Sequence, residues 1–240
     1  MRSARDRGLM TAVAMPLVAA ALLAACEPAG STATAQASAE HAYTICPPSG
    51  ELPDQAINDR AVEILDARLV SLGVETSSVG VGPACIDVTA STTSAAQEAA
   101  VRAAVLGTGT ITLVAPAANG QTTSVGRAPP DGAAPVLTGT DFRSAAIAVE
   151  PPTGGPVLAI TFSEFGSARI AAWSRLHLGE LTALVVDGVV VALPGTDELA
   201  ADGLSATLGP TPPVPLEAIV AMVNSGPLPP EWAQPKVPQG

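Results

Sequence analysis

Residues 181 to 194 read LTALVVDGVVVALP, two β-branched apolar runs that meet at Asp187-Gly188. Asp-Gly between such runs is the strongest short signal for a hairpin. A two-residue type I′ turn needs positive φ at both central positions, where Gly costs nothing and Asp is tolerated. Asp187 and Gly188 are therefore expected at a hairpin corner. A catalytic aspartate would instead be buried beside a partner that shifts its pKa, and the sequence shows no such partner for Asp187.

The elements around this hairpin follow from hydrophobic period. In the second half of the chain, PVLAITFS (156–163) alternates as a strand, and EFGSARIAAWSRLHLG (164–179) reads as a helix. Ala168, Ala172 and Leu176 stack along one side of that helix, with Trp173 beside them. GLSATLG (203–209) is a further strand. PVPLEAIVAMVNSG (213–226) is a last helix, with Leu216, Ile219, Val220 and Val223 on one face, a proline in its first turn and Gly226 at its end. The proline-rich tail beyond cannot continue it.

The first half has its own order. AYTIC (42–46) is a short strand. In the next helix Ile57, Ala61, Leu65, Leu69 and Leu72 recur at steps of four, four, four and three, and Gly73 stops it. Two strands follow around Val79 and Val81, then Ile86 and Val88, broken at Gly82-Pro83. A second helix opens with Ser94 and Gln97 at capping-box spacing and ends at Gly107. TGTITLVA (108–115) is a strand with Ile111 and Leu113 on one face. Strand, helix, two strands, helix, strand is the ferredoxin-like order. The expected fold is α+β, a ferredoxin-like base subdomain plus a second small α+β head subdomain with a mixed or antiparallel sheet. Residues 115–135 have almost nothing to bury and read as a linker or long exposed loop.

The N-terminus reads as an address. Three arginines in MRSARDR precede a nearly pure apolar run that ends LLAAC at Cys26, the layout of a secretory signal. LLAAC resembles the lipobox of bacterial lipoproteins, so Cys26 is the expected lipidation site, with attachment to the membrane through a lipid anchor. Residues 27–41 are mostly small or polar and read as a flexible tether that includes His41. No later stretch approaches the roughly 18 apolar residues of a spanning helix. Of the three cysteines, Cys46 and Cys85 remain. An even pair in an exported chain suggests one disulfide, with two buried thiols as the alternative.

Composition excludes more than it identifies. The formal net charge is −11 and Lys236 is the only lysine, so nucleic-acid binding, which needs clustered cations, is not expected. Aromatics are 2% of residues, so the cores must be built from Ala, Val, Leu and Ile. With two histidines, His41 and His177, no CxxC, no HExxH and no G-x-S-x-G, neither a metal, a cofactor nor a nucleophilic triad is expected. His177 lies near a helix end, where a cation suits the dipole. GTGT (107–110) lacks the third glycine, the lysine and the preceding strand of a phosphate loop and reads as a helix stop running into a strand. Glu63 with Asp66, and Asp197 with Glu198, read as solvent-facing charge pairs. No catalytic residue is assigned.

Several spaced stretches resemble the extracytoplasmic domain of SecD, the protein-export membrane protein. VLTGTDF, the strand V-x-x-I-x-F, Gly179 to Gly188, Pro194, Leu204 to Gly209, and Ser225 to Pro229 follow the order of its head part. Arg68 to Val74 is similar to the R-x-x-x-L-G-V that follows a helix in its base. Glu180 stands where a Lys is usual, and ALP replaces saP. The chain is therefore expected to divide into residues 1–26 as signal and lipobox, 27–41 as tether, 42–114 as a ferredoxin-like base, 115–135 as linker, 136–230 as a unit resembling the SecD head and 231–240 as a disordered tail. In SecD the chain continues into membrane helices that couple proton movement to export. The expectation here is the extracytoplasmic part alone, held by lipid and unable to use the proton gradient by itself.

The resemblance further implies a non-enzymatic protein whose head captures exported polypeptide, with Sec translocon components or another envelope protein as partners. Phe162, Phe165 and Trp173 are the candidate binding surface, with core packing the alternative for each. A structural or ligand-binding envelope lipoprotein that kept the fold without a role in export is the competing reading.

Overall fold

The hairpin of 181–194 does not stand alone; it completes a sheet whose other strands come from both halves of the sequence. The computed structural model describes residues 38–115, 123–150, 154–200 and 202–233. The lipobox with Cys26 and most of the expected tether lie outside the described residues. Among the described residues there are three antiparallel sheets and four α-helices, an α+β fold.

The first sheet has the order β1-β3-β2, from Ala39–Ile45 (β1), Ser77–Val81 (β2) and Ile86–Thr92 (β3). β1 begins before AYTIC, so His41 is a strand residue and not part of a tether. One face of the sheet is covered by the helices α1 (Gln55–Ser71) and α2 (Ala95–Leu106). Ser94 Oγ accepts the Gln97 N–H, and the Gln97 side chain reaches back to the Thr93 N–H at 2.8 Å, which ties down the start of α2. Gly73, at φ 66°, turns the chain out of α1 in the left-handed conformation that terminates helices. A disulfide joins Cys46, just after β1, to Cys85, just before β3.

β4 (Ile111–Val114) departs from expectation. It does not join this sheet as a fourth strand. It pairs with β5 (Pro135–Leu137) and β8 (Ala183–Val186), and β9 (Val189–Ala192) completes the order β5-β4-β8-β9. The cause is burial: Ile111, Leu113 and Val114 are all buried, and β8 offers a four-residue run buried on both faces to receive them. The third sheet has the order β10-β11-β7-β6, from Phe142–Val149 (β6), Pro156–Phe162 (β7), Leu199–Ala200 (β10) and Gly203–Ala206 (β11). The expected linker is pinned at two described points. Gly126 and Arg127 exchange backbone hydrogen bonds with Val190 of β9, and Ala115 donates to Ala134.

Two apolar cores meet at α2. Val101 and Val105 point into the core beneath β1–β3, and Ala100 and Ala104 into the core shared by the other two sheets. α4 (Leu216–Ser225) packs on α1, α2 and β6 together. Ala218, Ile219, Ala221 and Met222 are fully buried, and Leu216, Val220 and Val223 of the expected face are partly buried against the same core. A helix with neighbours on several sides buries its small residues where those neighbours approach closest. After α4 the chain returns to the first core, where a 3₁₀ turn, Pro230–Trp232, inserts Trp232 at 1% exposure. This corrects the expected disordered start of the tail at 231; residues 234–240 lie outside the described residues.

Candidate functional site

Arg68 of α1 is completely buried, and its whole guanidinium is spent on hydrogen bonds. Nη1 donates to the carbonyls of Ala104 and Gly107, each at 2.7 Å. Nη2 donates to Thr108 at 3.2 Å and Gly226 at 3.0 Å, and Nε to Ser225 Oγ at 3.2 Å. These acceptors lie at the C-terminal ends of α2 and α4, where helix carbonyls lack intrahelical partners and the dipole is negative. One cation therefore caps two helices and holds both against a third. Gly109 makes room: at φ 77°, a Cβ there would lie 2.2 Å from Nη2. Burial pushes the Arg68 pKa down to about 10, and the negative charge of Asp187 opposes the shift.

Asp187 and Gly188 occupy both left-handed positions of the turn between β8 and β9, at φ 48° and 67°. The carboxylate also has partners that sequence reasoning missed. Oδ1 accepts from Thr108 Oγ1 and from the Thr110 N–H, the latter at 2.9 Å, while the Asp187 N–H donates to the Thr110 carbonyl at 2.8 Å. GTGT is thus the strap that joins Arg68 to Asp187. Ser225, Gly226 and Leu228 reach the same place, since the Leu228 N–H donates to the Thr108 carbonyl. The stretches R-x-x-x-L-G-V, V-D-G and S-G-x-L-P converge on one polar knot. The concavity beside the knot, lined by Gly109, Ile111, Phe142, Met222 and Gly226, holds about 20 Å³, space for one water.

The candidate surface lies on α3 (Glu164–Ser174), and the structure divides its three residues. Phe162 is buried in β7 against Phe142, ring centroids 6.0 Å apart, and is not a surface residue. Phe165 is 81% exposed. Trp173 is half-buried against the core and stacks on His177, with centroids at 4.4 Å; His177 Nδ1 lies 3.0 Å from Glu180 Oε2. α3 ends earlier than its apolar spacing suggested and is turned the other way. Gly166 and Ile170 face inward, whereas Ala168 and Ala172 are exposed and Leu176, past the helix end, is 82% exposed.

Asp141 sets that orientation. A Cβ on Gly166 would lie 2.3 Å from the Asp141 carbonyl oxygen, so only glycine permits this approach. The buried Asp141 carboxylate also takes Arg169 Nη1 at 2.7 Å and the Thr138 N–H at 2.8 Å. What α3 then presents outward is Phe165, Ala168 and Ala172 at helical spacing, followed by Leu176, Leu178 and Leu181.

A second polar group sits where β1 meets α2. His41 Nδ1 lies 3.5 Å from Glu98 Oε1, while its Nε2 is shut off from solvent without a hydrogen-bond partner. Tyr43 has its pKa raised, first by burial, then by Glu98, with Arg102 opposing. Among the described residues no group of three or more His, Cys, Asp or Glu side chains is placed to hold a metal ion. No described helix is long and apolar enough to cross a membrane.

No family model and no curated protein matches this sequence. Solved structures do share its fold. A crystal structure of SecDF in a super-membrane-facing form aligns with 81% of this chain at 18% identity and a TM-score of 0.63. The alignment spans 29% of that protein's length. A second structure, of a membrane component SecDF that enhances protein export, aligns with 79% of this chain and 95% of its own, at 19% identity and a TM-score of 0.57. The fold is that of a SecD/SecDF extracytoplasmic domain.

Proposed function

We propose that this chain is a non-enzymatic, lipid-anchored protein of the extracytoplasmic membrane face that binds exported polypeptide through the exposed side of α3. The observation that carries this reading is the apolar surface itself. Phe165, Leu176 and Leu178 are each at least 80% exposed, and Leu181 is 57% exposed. Isolated exposed leucines need no explanation, but several large ones on one helix and the loop that leaves it mark an interaction site. SecDF, the protein of similar fold, is a membrane component that enhances protein export, and unfolded exported chains expose the apolar side chains such a surface accepts. Cys26 is the proposed point of lipid attachment. Sec translocon components are the proposed protein partners.

A photo-crosslinking amino acid placed at Phe165 or Leu178 tests this in secreting cells. Secretory chains are expected in the crosslinked product during active export and not after export is blocked. Recovery of no secretory chain from either position sinks the reading. Cys26→Ser is expected to release the protein from the membrane fraction.

A further inference from the structure

The first sheet stops one strand short. In a ferredoxin-like unit the last strand lies beside the first, yet β4 belongs to another sheet. Among the described residues no strand pairs with the outer edge of β1. The pairing pattern shows which of its groups are open. The Gly82 N–H donates to Cys85 and the Ser91 N–H to Thr76, so residues 85, 87, 89 and 91 direct their backbone groups toward β2. Residues 86, 88, 90 and 92 must then bond β1, through their partners Ile45, Tyr43, His41 and Ala39. The Cα–Cα separation of 4.3 Å at Cys46–Cys85 fits the non-bonded pair this alternation places there. Glu40, Ala42 and Thr44 therefore turn their N–H and C=O groups to the open edge. All three are exposed, and no described residue hydrogen-bonds those groups.

We propose that this edge accepts an extended, unfolded polypeptide segment with basic or uncharged side chains, added as a fourth antiparallel strand beside β1. The inference rests on the reading that the chain binds unfolded polypeptide, and it names a second contact and its geometry. Main-chain hydrogen bonds supply affinity in this mode, without a requirement for one sequence. The surroundings select the charge. Glu40 lies on the edge strand, Asp87 and Glu98 lie beside it, and the chain carries a net −11. Arg102 near Tyr43 is the opposing cation. That balance disfavours acidic segments and a second copy of this chain. The tail after Ala233 holds Pro235 and Pro238, which cannot donate to a ladder.

The test is amide hydrogen exchange on the whole chain in detergent, with and without a synthetic peptide of alternating valine and lysine. A length of about ten residues covers the strand. The peptide is expected to slow exchange at Glu40, Ala42 and Thr44 by about tenfold or more. Ala42→Pro removes only an outward N–H, which edge strands tolerate, and is expected to weaken peptide binding by about tenfold. If that variant fails to fold, a peptide N-methylated at alternate residues takes its place against the unaltered chain, with the same loss expected. Unchanged exchange at saturating peptide, or equal binding of the N-methylated peptide, overturns the proposal. So does slow exchange at all three amides before peptide is added, which marks an edge filled by the chain itself or by a second copy. Crosslinking from α3 reports separately: its loss with the exchange effect intact removes the export reading and leaves this edge, and the converse outcome removes only the edge.

Discussion

Replacing Arg68 by methionine removes five donors from the knot and leaves the carbonyls of Ala104, Gly107 and Gly226 without the guanidinium, while the Thr108 carbonyl keeps the Leu228 N–H. A buried acceptor left unmet costs about 1–3 kcal/mol. Three at the low end give about 3 kcal/mol, the lower end of the range seen when one partner of a buried charge pair is removed, about 3–5 kcal/mol. Part of the loss is returned, because a buried cation no longer has to be desolvated. The pKa of about 10 leaves Arg68 charged at neutral pH. Its folded value is depressed, so its titration adds stability only as pH rises through that value and gives no slope near neutrality.

Arg68→Lys keeps the charge but offers three donors on a point cation and cannot span five acceptors; about 2 kcal/mol is the expected cost. Asp187→Asn keeps the Asn-Gly turn and an oxygen acceptor but removes the opposing charge, for about 1 kcal/mol. In the Arg68→Met background that last cost should vanish, because the two residues act on each other. Urea unfolding at constant m-value reads all four variants. A loss below about 1 kcal/mol for Arg68→Met would show that the two helix ends are satisfied without it, and the account of the knot would fall.

Two further predictions concern the first sheet. Tyr43 is the only tyrosine, so phenolate absorbance reports it alone. It is expected to titrate above free tyrosine in the folded chain, and Glu98→Gln to lower its pKa. Because the folded value is raised, the stability linked to Tyr43 is complete below the unfolded pKa and lost as pH rises through the folded one; a titration at or below the free value contradicts the environment described. Replacing Cys46 and Cys85 by serine opens a loop of 39 residues' separation, for an expected loss of about 4 kcal/mol in the chain-entropy model. An unchanged urea midpoint would show that the bridge contributes nothing.

What could be read in advance divides along physical lines. α1, α2 and the β8–β9 hairpin were legible because their signals are local: a period, a cap, a turn pair. Arg68 was not, although it lies three residues after Leu65 and four before Leu72 on the same stripe. A cation on an apolar stripe reads as an exposed neighbour until its acceptors are known, and those come from residues 36 to 158 positions away. β4 has the same alternation whichever sheet it joins, so its partner is a long-range choice. α3 misled because Ala168, Ala172 and Leu176 have helical spacing, yet the close approach of Asp141 to Gly166 decides which side turns inward. Trp232 was hidden by the prolines around it, which forbid an α-helix but permit a single 3₁₀ turn.

The residues that carry the resemblance to SecD are internal fasteners. Arg68, Asp187, Ser225 and Gly226 belong to the knot, and Asp141 of VLTGTDF fixes α3. They hold elements of the fold to one another, and for the same reason they say little about what the surface binds. The proposed contacts, Phe165 with Leu176 and Leu178 on one side and the β1 edge on the other, carry no such motif. A clean separation should follow. Phe165→Ser with Leu178→Ser is expected to move stability by no more than about 0.5 kcal/mol, as exposed positions do, while abolishing capture of secretory chains. Arg68→Met should reduce stability and capture together. If the surface pair instead destabilises the chain as much as the knot variant does, then α3 is buried against a part of the molecule it is here taken to face away from, and its role as a capture surface is lost.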